Sequence, residues 1–218
     1  MSQKAEYRYR LRFSKSPEDS FEDGFKKSRN ILKEIFLKNL PLAEQNGKGK
    51  FSFGPALPRN YFSECEYADV WLNVRPNKEE FEKFFSSLPE GFSFMSYKSI
   101  PLFFPPVEAV DSIEEYDLYP LSDISEFKKV FEKNLSLSPL EITIEKDSKI
   151  RKEDLSFWLY RAVWQSSGAV KVFIKRIKGR SIRPEAVIDR LTDSRVELSK
   201  VIKKNIYWID SAGNLNEI

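Results

Sequence analysis

Residues Tyr7 to Phe13 alternate without a break, with Tyr7, Tyr9, Leu11 and Phe13 interleaved by Arg8, Arg10 and Arg12. A side-chain period of two fits a strand with one face on a core. Any fold built on this strand must therefore also find a place for three guanidinium groups on its other face. The rhythm returns between Tyr67 and Val74, where Ala68, Val70, Leu72 and Val74 share one face and Tyr67, Asp69, Trp71 and Asn73 the other. Helical signals lie between and after these strands. Ser16-Pro17-Glu18-Asp19 offers an N-cap, a proline and first-turn acids ahead of Phe21, Phe25, Leu32, Ile35 and Phe36. Asn77 and Glu80 have the spacing of a capping box before Phe81, Phe84, Phe85 and Leu88. With strands at Phe51 to Phe53 and Phe92 to Ser99, the predicted order is βαββαβ, the split arrangement of ferredoxin-like domains.

The second half repeats the pattern. A strand is predicted near Tyr116 to Leu121, followed by a helix capped by Asp123 and Glu126 and carrying Phe127, Val130, Phe131 and Leu135. Strands are predicted at Leu140 to Glu145, Phe157 to Trp164 and Val170 to Ile177. A helix opened by Arg183-Pro184 and a strand near Ile202 to Ile209 complete the set, with one strand more than the split unit needs. The proline-rich segment Ile100 to Val107 reads as a crossing packed against a domain. The expected class is α+β: two consecutive ferredoxin-like halves with antiparallel sheets, over residues 1–104 and 105–218.

Composition narrows the chemistry. There is no histidine and only one cysteine, Cys65, so His-based catalysis, an internal disulfide and a cysteine-held zinc or iron–sulfur centre are outside the inventory. Eight glycines among 218 residues form no Walker or dinucleotide fingerprint, and no cofactor is expected. The net charge of +3 implies no bulk attraction to nucleic acid, so any such attraction must come from placement. No apolar stretch is long enough to span a bilayer and the N-terminus does not read as a signal peptide, so no membrane partner and a cytoplasmic location are expected.

Placement singles out one face of the first sheet. Arg8, Arg10 and Arg12 should stand beside Tyr67 and Trp71, with alternate residues roughly 6.5–7 Å apart, a spacing that suits phosphates, beside rings that suit bases. The competing reading pairs the arginines with Asp69, Glu64 and Glu66 on neighbouring strands and packs Trp71 under the second half. Asn46, Lys48 and Lys50 lie in a glycine-containing loop that either approaches an anion or simply makes a turn. In the second half Lys171, Phe173 and Lys175 alternate outward, with Trp158, Tyr160 and Trp164 expected on a shared face nearby. The run from Lys171 to Arg183 contains no acid, which suits either a phosphate backbone or a soluble strand edge.

Ser52-Phe53-Gly54-Pro55-Ala56-Leu57-Pro58, together with Arg10-Leu11-Arg12-Phe13-Ser14-Lys15, Leu88-Pro89-Glu90-Gly91-Phe92 and Arg183-Pro184-Glu185-Ala186-Val187, resembles the radical-SAM-linked family of uncharacterised bacterial proteins. The resemblance spans most of the chain. It departs from the family pattern at Glu18 to Asp23, where a histidine-containing stretch is usual, and at Asn46 to Lys50. It implies a radical-SAM protein as partner and carries no activity of its own. The expectation is a non-catalytic accessory protein that binds that partner, an RNA, or both, through the basic, aromatic-bearing face. The alternative is a metal-independent endoribonuclease of the double ferredoxin-like kind.

Overall fold

The computed structural model describes residues 4–17, 24–58, 60–146 and 149–218. The chain divides after Val110 into two units, Met1–Val110 and Asp111–Ile218. The expected division fell at Phe104, and the reason for the difference is hydrogen bonding: the segment after Ser99 is tied to the first sheet, as described below.

The first unit runs β1 (Tyr7–Lys15), α1 (Gly24–Asn39), β2 (Glu44–Gln45), β3 (Lys48–Gly49), β4 (Phe51–Phe53), β5 (Phe62–Leu72), α2 (Lys78–Ser86) and β6 (Phe92–Ser99). Its main sheet has the order β4-β5-β1-β6, antiparallel throughout. The register places Tyr9 opposite Val70 and Leu11 opposite Ala68, with Arg8 opposite Trp71 and Arg10 opposite Asp69. Strand alternation thus sends the apolar set to one face and the arginines to the other. On the apolar face Phe36 from α1 meets Phe51, Phe53 and Phe84 at ring separations of 5.6, 5.5 and 5.3 Å. The predicted capping box is present: Glu80 N–H donates to Asn77 Oδ1 at 2.9 Å, and Asn77 N–H donates to Glu80 Oε2 at 2.8 Å. The expected helix start at Glu18-Asp19, with Phe21 behind it, lies outside the described residues.

The second unit runs β7 (Ser112–Pro120), α3 (Lys128–Leu135), β8 (Glu141–Lys146), β9 (Lys149–Asp154), α4 (Leu155–Trp158), β10 (Leu159–Trp164), β11 (Val170–Arg176), α5 (Pro184–Thr192), β12 (Leu198–Ile209) and β13 (Leu215–Glu217). Within it the order is β10-β11-β7-β12, with β13 on β12 and every pairing antiparallel. The supernumerary strand does not enter this sheet. Residues Glu141–Lys146 pair instead with Lys149–Asp154 as a separate two-stranded ribbon. Trp158, expected on a strand with Tyr160 and Trp164, ends the single helical turn α4, because Asp154 accepts from Ser156 N–H and starts that turn.

The predicted Asp123–Glu126 box is also replaced. Asp123 Oδ1 accepts from Ser125 N–H at 2.8 Å, a shorter loop that leads into a 3-10 turn over Ser125–Phe127 before α3. Pro184 does open α5, as its fixed φ favours. At the other end of α5, buried Asn134 donates to Leu191 O at 3.1 Å and to Asp193 Oδ2 at 2.9 Å, while Asp193 takes the left-handed conformation with φ 50°.

Candidate functional site

The arginine-bearing face of the first sheet is closed. Arg8 and Arg10 keep only 1% and 3% of their surface exposed, and Asp69 keeps none. Asp69 Oδ1 accepts from Arg10 Nε at 2.7 Å, and Oδ2 accepts from Arg8 Nη2 at 2.8 Å and Arg10 Nη2 at 3.0 Å. The same Oδ2 accepts from Val107 N–H at 3.2 Å. Both guanidiniums also reach the backbone of the proline-rich segment: Arg8 Nη1 donates to the carbonyls of Phe104 and Leu102, and Arg10 Nη2 donates to Pro105 O at 3.3 Å. A strap of backbone carbonyls therefore lies over one end of the face and uses donors that a phosphate would need.

Arg8 and Lys50 both stand over the Trp71 ring, at 4.2 and 4.8 Å from its centroid, and Arg12 stands 5.9 Å from the centroid of Tyr67. Both rings are buried. Arg12, half-buried, also donates from Nε to Glu64 O at 3.0 Å. The pairing with Asp69 in the competing expectation describes Arg8 and Arg10. What covers this face is the unit's own crossing segment. Gly54 of the Ser52 to Pro58 stretch fits beneath that cover: its N–H donates to Tyr67 O at 2.7 Å, and a Cβ there would stand 3.2 Å from that oxygen and 3.5 Å from Val107 Cγ1.

Asn46, Lys48 and Lys50 lie in and just after the β2–β3 hairpin. Asn46 (φ 54°) and Gly47 (φ 72°) form the two-residue turn that joins β2 to β3, a geometry that requires left-handed residues. Asn46 and Lys48 are exposed, while Lys50 is drawn towards Trp71.

On the corresponding face of the second unit, Lys171 lies between two carboxylates. It pairs with Glu115 and, at 3.0 Å, with Asp117 Oδ1. Tyr207 O–H donates to Glu115 Oε2 at 2.6 Å. Burial pulls the Lys171 ammonium down, but the hydrogen bonds and charges of Glu115 and Asp117 reverse this and hold it above the usual lysine range. Burial and the bond to Glu115 push the Tyr207 phenol well above the usual tyrosine range. Both shifts favour the protonated forms, the opposite of what activates a lysine or tyrosine as a base. Lys175 is half-buried on the same side of β11.

Sequence reasoning missed several exposed apolar side chains in the first unit. Met95 and Tyr97 on β6 and Leu102, Phe103 and Phe104 on the strap are all exposed, with Phe103 at 87%. The strap was expected to pack. It does so through its carbonyls, which leaves these side chains pointing outward, and β6 is the last strand on its side of the sheet. Among the described residues, no group of three His, Cys, Asp or Glu side chains stands together in a way that could hold a metal ion. No helix of the described residues is long and apolar enough to cross a membrane.

The search of curated proteins found no match to the chain. A family described as an uncharacterized protein conserved in bacteria, DUF2344, matches residues 45–184, a stretch that begins at the last residue of β2, includes Ser52 to Pro58 and ends at the first residue of α5. With most of its length so matched, the chain belongs to the DUF2344 family of uncharacterized proteins conserved in bacteria.

Proposed function

We propose that this protein is a non-catalytic accessory protein of a radical-SAM enzyme, acting in the cytoplasm and binding that enzyme through the apolar surface of its first unit. The observation that carries the reading is the strap trio Leu102, Phe103 and Phe104, three consecutive large apolar side chains that are all exposed. Consecutive exposed apolar side chains on the strap favour association with another protein. The radical-SAM identity of the partner rests on the resemblance of the motifs around Ser52 to Pro58. Strand orders β4-β5-β1-β6 and β10-β11-β7-β12, with the first and third main strands adjacent, support two ferredoxin-like halves as the scaffold.

In this reading Arg8 and Arg10 shape the docking surface from beneath by fixing the strap. The test is association of the purified chain with a reconstituted radical-SAM protein, followed by size-exclusion chromatography and light scattering. Wild type is expected to co-elute with the iron–sulfur absorbance, and a folded Phe103→Glu variant is expected to lose it. Equal binding by that variant, or no binding by wild type, would overturn the proposal.

A further inference from the structure

We propose that the second unit carries a nucleotide-binding groove in which Phe157 stacks a base while Lys178 and Arg180 meet its phosphate. The groove has a volume of about 680 Å³ and is lined by Phe157, Trp158, Ile177, Lys178 and Arg180 together with two carboxylates, Glu153 and Asp154, the first engaged by Trp158 and Arg180 and the second by the N–H groups of Leu140 and Ser156. That volume lies in the range of small-ligand sites.

Its floor is rigid. The buried Trp158 donates its indole N–H to Glu153 Oε2 at 2.6 Å, Glu153 Oε1 accepts from Arg180 Nη2 at 3.3 Å, and the Arg180 guanidinium stands 5.8 Å from the centroid of the Trp158 ring. Glu153 thus positions an indole and a cation together. Phe157 meets Trp158 edge-on, with ring centroids 5.0 Å apart and an interplanar angle of 90°, and remains 54% exposed.

The opposite wall is a fixed turn. Ile177 and Arg180 exchange two backbone hydrogen bonds of 2.9 Å across Lys178 (φ 49°) and Gly179 (φ 75°), and Asp111 Oδ1 accepts from Lys178 N–H at 2.7 Å. The Lys178 side chain is exposed and, among the described residues, pairs with no carboxylate. A phenyl ring with an open face beside two cations on a rigid turn matches the parts from which single-stranded nucleic-acid sites are built. The shared chemistry is that of a nucleoside phosphate, supplied either as a mononucleotide or as one residue of an RNA strand.

The test is anisotropy titration of a short fluorescein-labelled single-stranded RNA, with calorimetric titration of AMP and UMP, on wild type, Phe157→Ala, Phe157→Tyr and Lys178→Glu. Both positions are solvent-facing, and circular dichroism confirms the fold of each variant. Phe157→Ala is expected to weaken binding about tenfold and Phe157→Tyr to restore it. Lys178→Glu is expected to weaken RNA binding and to flatten its dependence on log salt by about 0.7 or more. Mononucleotide binding with the same dependence on Phe157 identifies a mononucleotide as sufficient, and binding of RNA alone identifies the strand. No binding of either ligand overturns the proposal, as does binding that Phe157→Ala leaves unchanged, which would mark a general polyanion patch.

Discussion

The two units share a strand order and invert the charge on it. In the first, the leading strand β1 supplies Arg8 and Arg10 and the third main strand β5 supplies Asp69 between them. In the second, the leading strand β7 supplies Glu115 and Asp117 and the third main strand β11 supplies Lys171 between them. Each is a triad of two like charges around one opposite charge, yet their surroundings differ. The arginine triad is dry and also holds a strap, whereas the Lys171 side chain keeps 22% of its surface exposed. A central carboxylate bonded by two forked guanidiniums has no substitute once covered, while a central ammonium near water does.

The comparison is broken most directly at its two centres. Asp69→Ala leaves two buried guanidiniums without their anion and is expected to cost about 3–5 kcal/mol in urea unfolding. Replacing Arg8, Arg10 and Asp69 together by apolar residues is expected to restore only part of that stability, because the desolvation cost leaves with the charges while the strap carbonyls and the Val107 N–H lose their partners. Lys171→Ala is expected to cost less, about 1–2 kcal/mol, since Lys171 lies at the surface and its removal opens Glu115 and Asp117 to water. Equal losses at the two centres would show that burial does not separate the triads.

Alkali sharpens the contrast. Lys171 and Tyr207 have folded-state values raised above their ordinary 10.5 and 10.0. The unfolded chain therefore gives up these protons first, so their contribution to stability is complete below about pH 10 and is lost as pH rises through the folded values. Arginines stay charged throughout this range. Thermal unfolding between pH 9 and 11.5 is expected to show a decline that Tyr207→Phe reduces and that substitutions at Arg8 do not. The smallest effect is local to the first unit: Asn77→Ala removes the helix cap and is expected to cost about 1 kcal/mol without altering the alkaline decline.

Local chemistry was legible in the sequence where a single element carries it. The alternation over Tyr7 to Phe13, the Asn77–Glu80 box and the Pro184 helix start each depend on neighbours a few residues apart, and each appears as expected. Features that depend on distant partners were not. The ribbon Glu141–Lys146 with Lys149–Asp154 has ordinary strand composition, and nothing in it says that it will stay out of the main sheet. Closure of the arginine face was hidden for a deeper reason: its acceptors are the carbonyls of Leu102, Phe104 and Pro105, and a carbonyl has no residue-type signature. The α+β class follows from the pattern of elements, while the exposed Phe103 surface follows from which side of the strap the backbone bonds occupy.

Because the strap is gripped by its backbone, its path and its side chains are separate properties. Residues Leu102, Phe103 and Phe104 can be exchanged for other side chains while the Arg8 and Arg10 clamp goes on holding the same carbonyls. The first unit thus behaves as a mount with an interchangeable face, on which a new recognition sequence can be written without rebuilding the sheet below.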